Sequence, residues 1–180
     1  MKKYIPNALT ILRLVLTPVF LWLAFLCTHE NALYWAWIVF VLACITDWLD
    51  GFLARKFNVI SDFGKIIDPL ADKLIVLAAL AALTWKDPIR LHWTVFAIIA
   101  FREALVSVLR KILVRRLIIL SADIWGKIKT VMQMAGIIFS LGCMAISYTP
   151  AWVINASRIW FWIVVVATLL SGFNYVRAIR

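Results

Sequence analysis

Hydrophobic positions in this chain come in long runs interrupted by only a few charged residues, and most polar positions fall between the runs rather than alternating with them. Apolar stretches approaching the roughly 20 residues needed to cross a bilayer occupy 8–27, 33–48, 66–85, 93–113, 128–147 and 151–173. Segments inside hydrocarbon must satisfy their own backbone hydrogen bonds, so each run reads as a helix. The pattern predicts an all-α polytopic membrane bundle of six transmembrane helices. No internal repeat, low-complexity tract or long linker interrupts it, so residues 1–180 read as one domain. Met1 to Cys27 combines a basic start with an apolar run, but no small-residue cleavage site precedes the next span cleanly. It reads as a retained first helix, with Met1 to Asn7 along the inner surface.

Span two is expected to continue as helix to about Arg55, with Asn58 to Asp62 as the turn and span three returning from Gly64. Pro69 lacks an N–H and disfavours helical geometry at Asp68, so the third helix either kinks there or begins there. Pro18 in span one is expected to mark a bend.

Composition sharpens the membrane reading. The chain is 65% hydrophobic and 16% charged, with a mean hydropathy of +0.97, far outside the range of a soluble domain. A net charge of +10 raises the question of nucleic acid, but no basic soluble module exists to bind it, and the charges fall between apolar spans. Anionic lipids and phosphorylated substrates are the better partners. With a cytosolic amino terminus, the external side holds only Lys86, Arg90 and Arg158 of the 19 Lys and Arg. The positive-inside rule therefore predicts cytosolic termini. Trp35, Trp37, Trp85, Trp93 and Trp152 then fall near the outer interface and Trp48 and Trp125 near the inner one, as aromatic belts. Cys27, Cys44 and Cys143 are odd in number and embedded in apolar runs, which suits packing better than disulfides or metal ligation. His29 and His92 lie at external ends, away from the predicted chemistry.

That chemistry centres on Asp47-x2-Asp50-Gly51-x2-Ala54-Arg55, then eight residues, then Gly64-x3-Asp68-x3-Asp72. Asp47 and Asp50 are three apart and Asp68 and Asp72 four apart, so on helices each pair shares a face. Four converging anions at the edge of an apolar environment are costly unless a cation sits between them. All-oxygen ligation points to a hard ion, Mg²⁺ or Mn²⁺, and two such ions sharing carboxylates form a known device for displacement at phosphorus. The competing assignments are a helix N-cap for Asp62 or Asp68 and a solvated loop for Asp50. Gly51 and Ala54, small residues at offsets four and seven from Asp47, keep a helix face open for a close ligand. Arg55 beside them suits a diphosphate, or alternatively a plain positive-inside anchor.

A second set of charges lies within the spans. Arg13, Arg102 and Glu103 each carry an insertion cost of about 2.5–3.5 kcal/mol, which calls for a function or a partner. Arg102 and Glu103 are adjacent and diverge on a helix, so mutual pairing does not account for both; an interhelical salt bridge is the structural alternative. Arg110 follows Arg102 by eight residues on one face. Arg110, Lys111, Arg115, Arg116, Lys127 and Lys129 crowd the next connection, where cytosolic anchoring alone explains most of them. Arg102, Arg110 and Lys127 could also form a cationic pocket for an acceptor that bears a phosphate.

The eight-residue carboxylate signature, at fixed spacing and with no departure at any fixed position, resembles that of the CDP-alcohol phosphatidyltransferase family. That resemblance implies a metal set of Asp47, Asp50, Asp68 and Asp72, with Asp72 also the general base. Further residues, Ile5-Pro6-Asn7-x2-Thr10-x2-Arg13, Arg102-Glu103 with Arg110, and Gly126-Lys127-Ile128-Lys129-Thr130 with Gln133-Met134, resemble the bacterial branch that uses sn-glycerol 3-phosphate. The branch resemblance implies that Arg102, Arg110 and Lys127 hold the acceptor phosphate, and that Asn7, Thr10 and Arg55 lie near the nucleotide or diphosphate of CDP-diacylglycerol. It also implies a multi-pass enzyme of the bacterial inner membrane with a cytosolic active site. Related branches use inositol phosphate or phosphatidylglycerol as acceptor and remain open. Family members commonly pair as homodimers, which the sequence itself neither supports nor opposes. A cation transporter would distribute its acids through the bilayer depth rather than cluster them at one end, and a noncatalytic scaffold leaves the carboxylates unexplained.

Overall fold

The computed structural model describes residues 5–57, 62–115, 124–146 and 149–177, with side chains described for 11–49, 71–109, 126–146 and 149–172. Among the described residues six α-helices follow one another: α1 (Ile5–Leu21), α2 (Ala32–Phe57), α3 (Asp62–Trp85), α4 (Trp93–Arg115), α5 (Ile124–Ala145) and α6 (Ala151–Arg177). A π-helical turn, Trp22–Leu26, extends α1. No strand occurs among the described residues, and each helix overlies one of the six apolar runs.

Among the described residues three helices carry apolar windows long enough to cross a bilayer: Ala32–Leu49, Gly126–Ala145 and Ala151–Gly172. The apolar stretch of α1 and its π turn, Ile11–Leu26, is shorter, while α3 carries Asp72 and Lys73 and α4 carries Arg102 and Glu103. Large apolar side chains point outward in numbers that water would not tolerate, among them Phe101 at 70% exposure, Val131 at 68% and Ile159 at 62%. The chain is a membrane protein, its outer faces matched to hydrocarbon.

Helix boundaries follow local chemistry. Helix α2 runs past the apolar stretch to Phe57, two residues beyond the expected end, because Asp50, Gly51 and Arg55 do not break a helix. Helix α3 opens at Asp62 and runs through Pro69. It therefore begins before Gly64, and it does not begin at the proline. Pro69 is the eighth residue of α3, more than two turns in, so its missing N–H leaves the Lys65 carbonyl without an intrahelical donor, a gap that membrane helices tolerate by local adjustment. The expected turn at 58–61 lies outside the described residues. Pro18 sits inside α1, four residues ahead of the π turn, where Cys27 N–H donates to the Trp22 carbonyl at 2.9 Å.

The chain divides into two compact units. The first comprises Met1–Ala82 and Leu141–Tyr148. Helices α1 and α2 pack here along matching stripes at helical spacing, Arg13, Thr17, Phe20 and Ala24 against Ala36, Phe40 and Ala43, all buried. The Phe20 and Phe40 rings sit 6.1 Å apart. Alanines let the backbones approach, as membrane helices require when lipid offers no hydrophobic drive between them. Gly142 serves the same end: a Cβ there would lie 3.2 Å from Trp37 Nε1.

The second unit comprises Leu83–Ser140 and Thr149–Arg180. Val95, Ile99, Arg102 and Val106 form the buried stripe of α4, and Val153, Ser157, Phe161, Val164, Thr168 and Ser171 that of α6. Between α5 and α6, Ser140 and Ser157 hydrogen bond at 3.1 Å, and Trp160 Nε1 donates to the Met132 carbonyl at 3.0 Å. That indole lies across Gly136, where a Cβ would sit 2.5 Å from Trp160 Nε1. Gly136→Ala should therefore displace Trp160 and cost about 1–3 kcal/mol, as overpacking does. The check is a lowered Tm in detergent, with part of the loss recovered when Trp160→Leu is added.

Candidate active site

Helices α1, α2 and α3 bring one cation and two carboxylates of the aspartate signature together within the first unit. Asp47 lies four residues beyond Ala43 and so continues the packed stripe of α2. Arg13 opens the facing stripe of α1 and is 1% exposed. Arg13 Nη1 stands 2.8 Å from Asp47 Oδ1 and also pairs with Asp72 Oδ1. Thr17 Oγ1 donates to the Arg13 carbonyl at 3.0 Å, occupying the hydroxyl within the helix.

The carboxylates are half-exposed, at 42% for Asp47 and 41% for Asp72, while the guanidinium between them is buried. This satisfies the demand that an intramembrane arginine find a partner. It also sets two anions from separate helices against one guanidinium nitrogen. Asp72 Oδ1 is buried and, apart from its ion pair with Arg13, accepts no hydrogen bond among the described residues. Carboxylate oxygens converging from two helices, one of them short of hydrogen bonds, are the donor chemistry of a hard divalent ion. Among the described residues no group of three or more metal-ligating side chains assembles. The other two signature carboxylates, Asp50 and Asp68, lie on α2 and α3, but their side chains are outside the described residues. So are those of Asn7, Thr10, Gly51, Ala54, Arg55 and Arg110.

A second charged cluster occupies the second unit. Arg102, 9% exposed, donates from Nη1 to Glu103 Oε1 at 3.3 Å and from Nη2 to Ser171 Oγ at 2.6 Å. Lys129 Nζ pairs with Glu103 Oε1 and is 3% exposed. Ser171 in turn donates to the Thr168 carbonyl at 3.2 Å. Gly172 leaves room beside the arginine, where a Cβ would sit 3.7 Å from Arg102 Cγ. Arg102 and Glu103 do pair, because the long arginine side chain wraps back to its neighbour, but each also has a partner on another helix. Arg102 Nε is buried without a hydrogen-bond partner, an open donor on an already desolvated guanidinium.

Lys127 is exposed, whereas Lys129 lies on the buried stripe with Gln133, Ile137 and Ser140. Two residues on a helix differ by about 200°, so the two lysines serve opposite faces. Sequence reasoning flagged Arg13 as an unexplained membrane charge but did not assign it to the site, and it counted Lys129 among the anchoring cations. Their signal was the cost of burial, which demands a partner without naming it. Arg13→Met should leave Asp47 and Asp72 without their shared cation. The expected loss is about 1–3 kcal/mol, below the value for fully buried pairs because both carboxylates are solvent-accessible. Thermal unfolding checks this: Tm should fall, and adding Asp47→Asn should recover part of it.

Comparisons with known proteins bear on the whole chain. A model of the CDP-alcohol phosphatidyltransferase family matches residues 3–171. The chain is 39% identical over 178 residues to a probable phosphatidylglycerophosphate synthase of Mycobacterium tuberculosis (strain ATCC 25618 / H37Rv), covering 97% of this chain and 81% of the relative. It is 34% identical over 181 residues to the CDP-diacylglycerol–glycerol-3-phosphate 3-phosphatidyltransferase of Rickettsia felis, covering 99% and 96%. The protein of that name from Bacillus subtilis (strain 168) is 34% identical over 184 residues, covering 95% and 92%.

Proposed function

The chain belongs to the CDP-alcohol phosphatidyltransferase family, and from that premise we propose that it transfers a phosphatidyl group from CDP-diacylglycerol to sn-glycerol 3-phosphate. The products are phosphatidylglycerophosphate and CMP, so the enzyme serves phospholipid biosynthesis. The names of its near full-length relatives support the acceptor. The observation that carries the chemistry is the convergence of Asp47 and Asp72, from separate helices, on one point in an apolar chain.

In this reading Asp47, Asp50, Asp68 and Asp72 hold two divalent ions, Mg²⁺ or Mn²⁺. Ions held by these carboxylates would supply positive charge to neutralise the diphosphate and the charge developing on the departing CMP. Asp72 accepts the proton of the free primary hydroxyl of glycerol 3-phosphate as that oxygen bonds to the lipid-bearing phosphorus. The bond from that phosphorus to the CMP oxygen breaks, and CMP leaves with the electron pair. Arg13 holds Asp47 and Asp72 in place. Asn7, Thr10, Gly51, Ala54 and Arg55 receive the nucleotide and diphosphate, and the small residues allow close approach. Arg102, Arg110 and Lys127 bind the acceptor phosphate, and the open Nε of buried Arg102 supports the first of these assignments.

The same reading has six transmembrane helices acting as one domain, with both termini and the active site on the cytosolic side of a bacterial inner membrane. A lipid-linked donor and a water-soluble acceptor meet at that interface. Pairing as a homodimer, common among members of the family, belongs to the same reading.

The deciding experiment is CMP release by detergent-purified protein given CDP-diacylglycerol and Mg²⁺ or Mn²⁺, comparing glycerol 3-phosphate, inositol phosphate, phosphatidylglycerol and no acceptor. Release with glycerol 3-phosphate alone, abolished by EDTA, is expected; a preference for another acceptor moves the chain to another branch of the family. Asp50→Asn and Asp68→Asn should abolish turnover, while Lys127→Ala should chiefly raise the KM for glycerol 3-phosphate. Full metal-dependent activity in Asp68→Asn would falsify the paired-ion assignment.

A further inference from the structure

A cavity of about 210 Å³ opens within the second unit, lined by Arg90, Leu91, His92, Val95, Arg158 and Trp162. None of these residues takes part in the proposed reaction. Arg158 precedes Ser171 by thirteen residues on α6, so the cavity lies about 20 Å along that helix from the Arg102 cluster. It is smaller than the roughly 300–1,000 Å³ of sites that enclose a whole small molecule. A headgroup fragment is a better match.

The chain holds this cavity together at some cost. Ile89 and Leu91 are buried, at 0% and 4% exposure. The Leu91 N–H donates to the Leu83 carbonyl at 2.9 Å, and Arg158 Nε donates to the Ile89 carbonyl at 2.9 Å. Pinned between them, Arg90 adopts φ 42°, a left-handed conformation that a residue with a Cβ rarely takes. The reward for that strain is placement of a guanidinium beside the cavity. The Arg158 bond uses Nε and leaves both Nη groups without a partner among the described residues. Arg90 has only a long 4.0 Å approach to Asp87, with both side chains well exposed, so it stays available. His92 Nδ1 is engaged with Thr94 Oγ1 at 2.8 Å, so Nε2 is the ring nitrogen that the described contacts leave open. Three nitrogen-bearing side chains thus line the cavity beside buried Leu91 and Val95.

What enters must be an anion, and the outer surface of α6 says what kind. Trp162, on the cavity wall, belongs to an exposed apolar strip with Ile159, Ile163 and Val166 at helical spacing. An anionic headgroup in the cavity would let its acyl chain lie along that strip; a soluble anion would leave the strip unused. In the orientation proposed above, Arg90 and Arg158 are also two of the three cations on the external side, where the positive-inside rule otherwise disfavours them. We propose that this cavity binds the phosphate of an anionic phospholipid, with its tail on the Ile159–Val166 strip, as a site separate from the one that performs transfer. The proposal does not depend on which acceptor the enzyme uses.

Native mass spectrometry of the full-length protein in detergent tests it, with phosphatidylglycerol and phosphatidylcholine offered as probes. One phosphatidylglycerol should be retained in preference to phosphatidylcholine, and Arg90→Gln/Arg158→Gln should bind it about tenfold more weakly, as loss of charge-assisted hydrogen bonds implies. Because Arg158 also tethers Ile89, Arg90→Gln/His92→Gln provides a second variant that keeps the tether and should weaken retention in the same direction. Asp47→Asn should retain the lipid undiminished, and both cavity variants should still release CMP. Equal retention of the two lipids, unchanged retention in both cavity variants, displacement by millimolar inorganic phosphate, or loss in Asp47→Asn would each overturn the proposal.

Discussion

The burial of charge in an apolar chain governs this structure, and the guanidinium of Arg13 is where the constraint is tightest. Its side chain is 1% exposed, and it meets carboxylates from two other helices. Moving α1 along or around its axis by one residue would strand a cation in a low-dielectric surrounding and release two anions that repel each other. Hydrophobic burial cannot set the register this way, because lipid and protein core are about equally apolar. The electrostatic demand can, and it places Asp47 and Asp72 side by side as a consequence of fixing the helices.

The second unit obeys the same rule with different residues. Glu103 on α4 takes Lys129 from α5, and Arg102 takes Ser171 from α6, so three helices are joined through polar contacts in an otherwise apolar interior. Ser140 with Ser157 repeats the device between α5 and α6 with uncharged groups. A small residue makes one of these contacts possible: Gly136 lies beneath Trp160, where a Cβ would sit 2.5 Å from the indole nitrogen. Close backbone approach and interhelical polar pairing are two aspects of one packing solution.

Much of this was legible in the sequence. Six apolar runs mark the six helices found among the described residues, because length and high mean hydropathy survive any tertiary context. The signature spacing places Asp47 on α2 and Asp72 on α3, since helical periodicity is local. What the sequence does not display is phase and partner. Lys127 and Lys129 look alike in a basic connection, and only packing reveals that Lys129 belongs to the buried stripe of α5. In a soluble helix a polar face would betray that phase, but here both faces of α5 are apolar and periodicity carries little information. Arg13 shows the same limit. Its burial cost announces a partner, yet the choice of Asp47 and Asp72 depends on how α1 crosses helices that are distant in sequence. Pro69 is ambiguous for a local reason, since a proline disfavours helical geometry at the residue before it, yet membrane helices do run through prolines in their interior.

On the proposed mechanism, these constraints account for a carboxylate centre that serves substrates which are themselves anions. A diphosphate donor and a phosphate-bearing acceptor both repel bare aspartates, so the chain must supply positive charge where it is already costly to bury. It does so with side chains held before any ligand arrives: Arg13 against the carboxylates, and Arg102 against Glu103 and Ser171. Fixing the guanidinium groups in advance removes the ordering entropy from the binding step. It also explains why uncharged replacements cannot substitute, because a well-packed apolar residue at position 13 would remove the burial cost while leaving two carboxylates without the cation that sets their geometry. On the proposed mechanism, the expense of buried charge is retained because the same charges that fix the helices also serve the anionic substrates.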